Sequence, residues 1–142
     1  MSAAATPLFH LALPVTDLDQ TRRFYLDTLG CTTGREAPRW LDLNFFGHQI
    51  TLHLVDSLGT DAHNEVDGDA VPTRHFGVIL SPDAWATLVT RLQGANCEFL
   101  LEPRTRFAGK TAEQSTLFIR DPSGNALEFK SFASLDQVFS SD

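Results

Sequence analysis

Positive charge is scarce in this chain. Its 142 residues carry 11 Lys and Arg against 18 Asp and Glu, a formal net charge of −7. Binding a phosphate backbone or an anionic lipid surface needs clustered Lys and Arg, so the expectation is no nucleic-acid and no membrane partner. Cysteine is scarce too. Cys31 and Cys97 are far apart in sequence and form no CxxC pair. That argues against a disulfide scaffold or a zinc site, and for reduced thiols in a cytoplasmic protein. Long apolar runs are missing, and the longest falls well short of the ~20 residues that span a bilayer. Residues 1–6 (Met-Ser-Ala-Ala-Ala-Thr) lack the basic start and apolar run of a secretory signal. What is present is 42% hydrophobic. A chain of this length supports one domain whose core removes roughly 68–70% of the unfolded surface from water.

The pattern reads as one plan used twice. Residues 8–15 alternate as a strand, with Phe9, Leu11, Leu13 and Val15 on one face and His10 and Ala12 on the other. Thr16 or Asp17 caps a helix whose stripe is Leu18, Tyr25 and Leu29, with Thr21 within it, and Gly30 closes it. Strand-like runs follow at about 31–36, 40–46 and 49–55, with a turn at Gly47-His48. Residues 56–73 are acidic and turn-rich and read as a connecting loop. Then residues 74–80 form a strand with His75, Gly77 and Ile79 on one face. Ser81-Pro-Asp opens a helix with an apolar stripe of Trp85, Leu88, Val89 and Leu92, ended by Gly94. Strands are expected at 97–102, 115–120 and 125–131, and the polar segment 103–114 as a short strand or a loop.

Neither half can close a core alone. The expectation is a single α+β domain over 1–142: two βαβββ modules, at about 7–55 and 74–132, forming a cupped mixed sheet with helices outside, and a tail at 133–142. The final strand, Ala126-Leu-Glu-Phe-Lys130, places Leu127 and Phe129 on one face and Glu128 on the other. A carboxylate inside a fold is unfavourable unless it is paired or binds a metal. By the same alternation His10 and His75 face the concave side with Glu128. Two imidazoles and one carboxylate on three strands can hold Fe(II) with open positions for substrate and O₂; Mn(II) and Zn(II) accept the set as well.

The stretches Phe9-His-Leu-Ala-Leu-Pro-Val-Thr-Asp-Leu, Thr21-Arg-Arg-Phe-Tyr-Leu-Asp-Thr-Leu-Gly-Cys31, Arg74-His-Phe-Gly and Phe118-Ile-Arg-Asp-Pro-Ser-Gly-Asn-Ala-Leu-Glu128 resemble the vicinal oxygen chelate superfamily, from Phe9 to Phe132. That superfamily includes glyoxalase I, fosfomycin-resistance transferases, bleomycin-resistance proteins and extradiol dioxygenases. The resemblance implies paired βαβββ modules, metal ligands at His10, His75 and Glu128, a small-molecule substrate and a homodimer. Glyoxalase I takes a fourth ligand from the last strand of its first module, and Thr51 stands there. A three-ligand site is similar to the extradiol dioxygenases or the fosfomycin enzymes, and the whole chain most resembles the small predicted extradiol dioxygenases. The phosphonate pocket of the fosfomycin enzymes needs local charge that here only Lys110, Arg120 and Lys130 offer.

His53 shares a face with Thr51, and the resemblance implies a catalytic proton-handling role for it. The extradiol pattern also places a Tyr on the strand before Glu128, where this chain has Phe118; its only tyrosine, Tyr25, lies on the helix stripe. Trp40, Asp42, Asn44, Phe118 and Arg106 are candidate pocket residues, and His48 and His63 read as solvent-facing. The functional expectation is a metal-dependent dioxygenase acting on a catechol-like or vicinal-oxygen substrate. The alternatives are a metal-free, bleomycin-resistance-like ligand-sequestering protein and a glyoxalase-like lyase or isomerase.

Overall fold

The computed structural model describes residues 6–59, 62–66 and 68–140. Contacts divide the chain into two compact units, Met1–Leu58 and Gly59–Asp142. Strands and helices are numbered through both.

Unit 1 begins with β1 (His10–Val15) and α1 (Leu18–Arg23). Asp17 caps α1, its Oδ1 accepting from Gln20 N at 2.9 Å. The helix widens into a π-helical turn over Phe24–Thr28. Thr21, Tyr25 and Leu29 still share its buried side. Then come β2 (Thr32–Ala37), β3 (Trp40–Phe45) and β4 (His48–Leu54). The sheet order is β1-β4-β3-β2, with β1 parallel to β4 and the other pairs antiparallel. The β3–β4 hairpin turns on Phe46 and Gly47, whose φ values of 52° and 88° suit a two-residue turn with both central residues left-handed. Asn44 Oδ1 accepts from Gly47 N at 2.8 Å.

Strand alternation sorts the sheet into two faces. Val15, Leu41, Leu43, Phe45, Ile50 and Leu52 are buried with Tyr25, Leu29 and Cys31. Each such large apolar side chain contributes about 1.5–3 kcal/mol relative to exposure. The other face carries His10, Ala12 and Pro14 of β1, Gln49, Thr51 and His53 of β4, and Trp40, Asp42 and Asn44 of β3, by register. Phe9, expected on the inward face, is 60% exposed.

Unit 2 departs from the expected plan at its start. The acidic stretch is not an unstructured loop: β5 (His63–Val66) and β6 (Asp69–Pro72) pair as an antiparallel hairpin. The segment after it, expected as a strand over 74–80, runs parallel to β9 but is not continuous; it is held by bridges at Phe76–Leu127 and Ile79–Lys130. Four backbone hydrogen bonds join them: Phe76 N to Ala126 O, Glu128 N to Phe76 O, Lys130 N to Val78 O and Leu80 N to Lys130 O.

Helix α2 (Pro82–Gly94) follows, capped by Ser81, whose Oγ accepts from Ala84 N at 3.2 Å. It buries Leu88 and Leu92, and Trp85 Nε1 donates to Phe129 O at 3.0 Å. Then β7 (Phe99–Arg106), β8 (Gln114–Arg120) and β9 (Ala126–Phe132) form an antiparallel sheet in that order. β7 thus runs on through Pro103, which an edge strand tolerates. Every β9 residue except Lys130 is buried, so Glu128 lies in the fold's interior layer. No helix among the described residues is long and apolar enough to cross a membrane.

Candidate metal centre

Glu128 emerges from β9 opposite Phe118 of β8. One residue on either side, Leu127 and Phe129 are fully buried on the other face. The carboxylate is 9% exposed and both its oxygens are engaged. Oε2 accepts from Thr116 Oγ1 at 2.5 Å. Oε1 lies 3.3 Å from His75 Nε2. The His75 ring is fixed from its other side, since Nδ1 stands 2.8 Å from Pro72 O at the end of the hairpin. A carbonyl only accepts, so Nδ1 carries the hydrogen. In the neutral ring Nε2 then holds a lone pair directed at a carboxylate oxygen. Two acceptors do not face one another stably; either a proton or a cation must lie between them. Backbone-anchored imidazoles of this kind present a fixed lone pair to a metal.

Without a metal the proton takes that place. The Glu128 hydrogen bond raises the His75 pKa above its usual value, outweighing burial, with help from the Pro72 carbonyl. For Glu128, burial is the largest single influence and pushes the pKa up. The hydrogen bonds from His75 and Thr116, with the Lys130 charge, together outweigh it and hold the carboxyl below its usual range. Phe118 closes one side, its ring edge-on to His75 with centroids 5.0 Å apart.

The profile of the Glyoxalase/Bleomycin resistance protein/Dioxygenase superfamily matches residues 8–129. The chain belongs to that superfamily. A crystal structure of a glyoxalase/bleomycin resistance protein/dioxygenase from Alicyclobacillus acidocaldarius is 34% identical, aligned over 94% of this chain and 96% of that one, with a TM-score of 0.80. The fosfomycin resistance protein FosX of Listeria monocytogenes shares the fold at 16% identity, over 94% of this chain and 98% of that one, with a TM-score of 0.70. Lactoylglutathione lyase of Agrobacterium tumefaciens does so at 21% identity, over 91% and 96%, with a TM-score of 0.65. None of the curated proteins compared with the chain matches it. The α+β fold expected from the repeat, and implied by the resemblance to be that of the vicinal oxygen chelate superfamily, is therefore the fold of this chain.

Of the residues expected at the metal, His75 and Glu128 are brought together in unit 2. His10 lies on the exposed side of β1 in unit 1, and His53 is exposed on that same sheet face. Neither unit by itself gathers three His, Cys, Asp or Glu side chains into a metal-holding group among its described residues. The chemistry of the donors nonetheless fits a divalent ion: an imidazole lone pair and a carboxylate converge, each steadied from behind.

Thr51, which the resemblance puts at the place of glyoxalase I's fourth ligand, donates its hydroxyl to Asp42 Oδ1 at 2.6 Å, and both residues are buried. Its proton and orientation are thus committed to a neighbour. Asp42 was expected to line a pocket; its fixed contact is this threonine. His48 is not simply solvent-facing, since its Nδ1 accepts from Phe9 N at 2.9 Å. Two further groups at this pair, Thr116 and the Pro72 carbonyl, lie outside the residues expected from the sequence. Thr116 shares the face of Phe118 and Glu128, and counting back along the alternation from Glu128's partner strand would have found it. The Pro72 carbonyl gives no sequence signal, because it ends a four-residue strand with little intrinsic strand preference.

Proposed function

We propose that this chain is a metal-dependent enzyme of the vicinal oxygen chelate type, a dioxygenase acting on a small catechol-like or vicinal-oxygen substrate. His10, His75 and Glu128 hold the metal, with Fe(II) favoured over Mn(II) or Zn(II). The observation that carries the reading is the His75 Nε2 lone pair set 3.3 Å from Glu128 Oε1 while Nδ1 is tied to Pro72 O. A bound divalent metal supplies a Lewis acid that two vicinal oxygens of a substrate can chelate. The protein's part is positional. Pro72 O holds the Nδ1 proton, and Thr116 Oγ1 turns the carboxylate so that Oε1 faces His75 Nε2. His53, whose side chain is exposed, moves the substrate's proton at a ring nitrogen. The engagement of Thr51 with Asp42 favours a three-ligand set over the four-ligand glyoxalase I arrangement. The same reading has a cytoplasmic homodimer with both cysteines reduced.

Metal analysis of protein purified without chelator should find close to one divalent ion per chain. His10→Ala and Glu128→Ala should each lose it. His53→Ala should keep it and lose turnover, by roughly a hundredfold or more for a general acid–base. Oxygen uptake with a panel of small catechols separates the dioxygenase from a lyase or isomerase. Wild-type protein that binds no divalent ion, or His10→Ala with full metal content, would sink the proposal in favour of a metal-free ligand-sequestering role.

A further inference from the structure

Arg106 ends β7 and is 3% exposed; among the described residues no other Lys or Arg is buried. Its Nη2 donates to Asp69 Oδ2 at 3.1 Å, and Arg104 Nη1 donates to the same oxygen at 2.9 Å. Two guanidiniums therefore share one carboxylate oxygen. The Nε of Arg106 is buried with no hydrogen-bond partner among the described residues. A buried charged donor without an acceptor is unfavourable, and a native instance calls for a missing partner. The edge formed by Nε and a terminal nitrogen matches a carboxylate in two parallel hydrogen bonds.

The position of that donor links it to the site already described. Arg106 pairs with Gln114 and Phe118 with Glu128, so by alternation Arg106 lies on the Glu128 face of the sheet. Its guanidinium carbon stands 5.8 Å from the centroid of Phe118, the ring that His75 meets edge-on at 5.0 Å. The buried cation and the imidazole therefore both lie against one aromatic ring, no farther apart than those two distances together. A ligand with vicinal oxygens at one end of a benzene ring and an anion at the other falls within that span. Lys130 adds positive charge to the same face, and its field already acts on both His75 and Glu128.

We infer that Arg106 is the anion-recognising residue of this site and that the ligand it selects is an aromatic carboxylate. The carboxylate binds at Arg106 Nε, and Asp69 holds the guanidinium in place through Nη2. The inference rests on the proposed function only for the oxygen-bearing end of the ligand; the carboxylate end needs no metal. Both Phe118 and Arg106 Nε are shielded in the ligand-free chain. Binding is therefore coupled to a local opening, and the observed affinity includes the free energy of that opening.

The probe is benzoate, with benzamide as its neutral isostere, titrated calorimetrically into the full chain as purified and after chelation. Wild type should bind benzoate saturably and at least tenfold more tightly than benzamide, in both preparations. Arg106→Gln should erase the preference, and Arg106→Lys, which keeps the charge but not the fork, should recover part of it. Equal binding of the two probes by wild type, which requires no variant to fold, would overturn the inference, as would an unchanged preference in folded Arg106→Gln. A benzoate preference in a chain that never binds metal would leave this inference standing while the dioxygenase reading fell. Metal binding without the preference would do the reverse.

Discussion

At the scale of single residues, the informative pair is His75 and Glu128, and its behaviour without metal is a direct check on the geometry. His75 has a folded-state pKa above its usual 6.5 because Glu128 accepts its proton. Its contribution to stability is complete below about pH 6.5 and is lost as pH rises through the raised value. Glu128 has a folded-state pKa below its usual 4.5 because the bonds from His75 and Thr116 outweigh its burial. Its contribution is present above about pH 4.5 and is lost as pH falls through the lowered value. Metal-free protein should therefore gain most from the pair between about pH 4.5 and 6.5. With a third of the imidazole side chain exposed, the gain should be about 1 kcal/mol, the upper end for an ion pair open to solvent. Urea-unfolding midpoints of chelated wild type and Glu128→Gln should differ most near pH 5.5 and converge toward pH 9. A constant difference from pH 5 to pH 9 would mean that no proton is shared. Which residues face one another was legible from the sequence, because parity along β9 forces Glu128 away from Leu127 and Phe129. Which atom of His75 faces Glu128 was not, since that depends on a carbonyl from a hairpin with almost no sequence signature.

At the scale of elements, the two halves differ in how their first strand is made. β1 pairs with β4 in six consecutive register positions, and its alternation announced it. The matching segment of unit 2 has the same alternation: Phe76, Val78 and Leu80 half-buried, and His75, Gly77 and Ile79 exposed. Yet it forms only bridges. The interruption spans Gly77, where the backbones approach too closely for any side chain; a Cβ built there would lie 1.6 Å from Glu128 O and 2.7 Å from its carbonyl carbon. Glycine is needed here for close approach, and the approach is to the backbone of the candidate ligand itself. Gly77→Ala must push β9 away at Glu128. The expected destabilisation is about 3 kcal/mol or more, beyond ordinary overpacking because a carbonyl rather than a flexible side chain has to move. Gly94→Ala, with nothing within 4 Å of its added carbon, is the control, and should change stability by about 1 kcal/mol or less. Chemical denaturation of both variants checks this, and a Gly77→Ala chain as stable as wild type would show that the approach relaxes in solution. The hairpin β5–β6 was missed for a related reason. Its four-residue strands, with Asp69 and Pro72 among them, have little intrinsic strand preference. They are held by cross-strand pairing and by the grip of Arg104 and Arg106 on Asp69, which is tertiary information.

At the scale of the whole molecule, the repeat was the most legible feature, because a periodicity of two, a capped helix and a closing glycine recur in the same order in both halves. The ligand set follows from the repeat as a proposal in which each unit contributes: His10 from unit 1, His75 and Glu128 from unit 2. That proposal has a thermodynamic consequence independent of any substrate. An ion that binds only the folded chain stabilises it by RT ln(1 + [L]/Kd), about 2.7 kcal/mol at a hundredfold excess over Kd. For a chain of this size that corresponds to a rise in melting temperature of roughly 5–10 °C. Because one donor comes from the first half and two from the second, the ion should stabilise both halves together. Fe(II) or Mn(II) added to chelated protein should therefore raise the unfolding of a reporter in each half by the same amount, Trp40 fluorescence for unit 1 and Trp85 for unit 2, read in Trp40→Phe and Trp85→Phe backgrounds. His10→Ala should abolish the rise at both reporters, although it leaves the His75–Glu128 pair intact. A rise confined to the Trp85 reporter, or one that survives His10→Ala, would assign the ion to unit 2 alone and remove His10 from the ligand set.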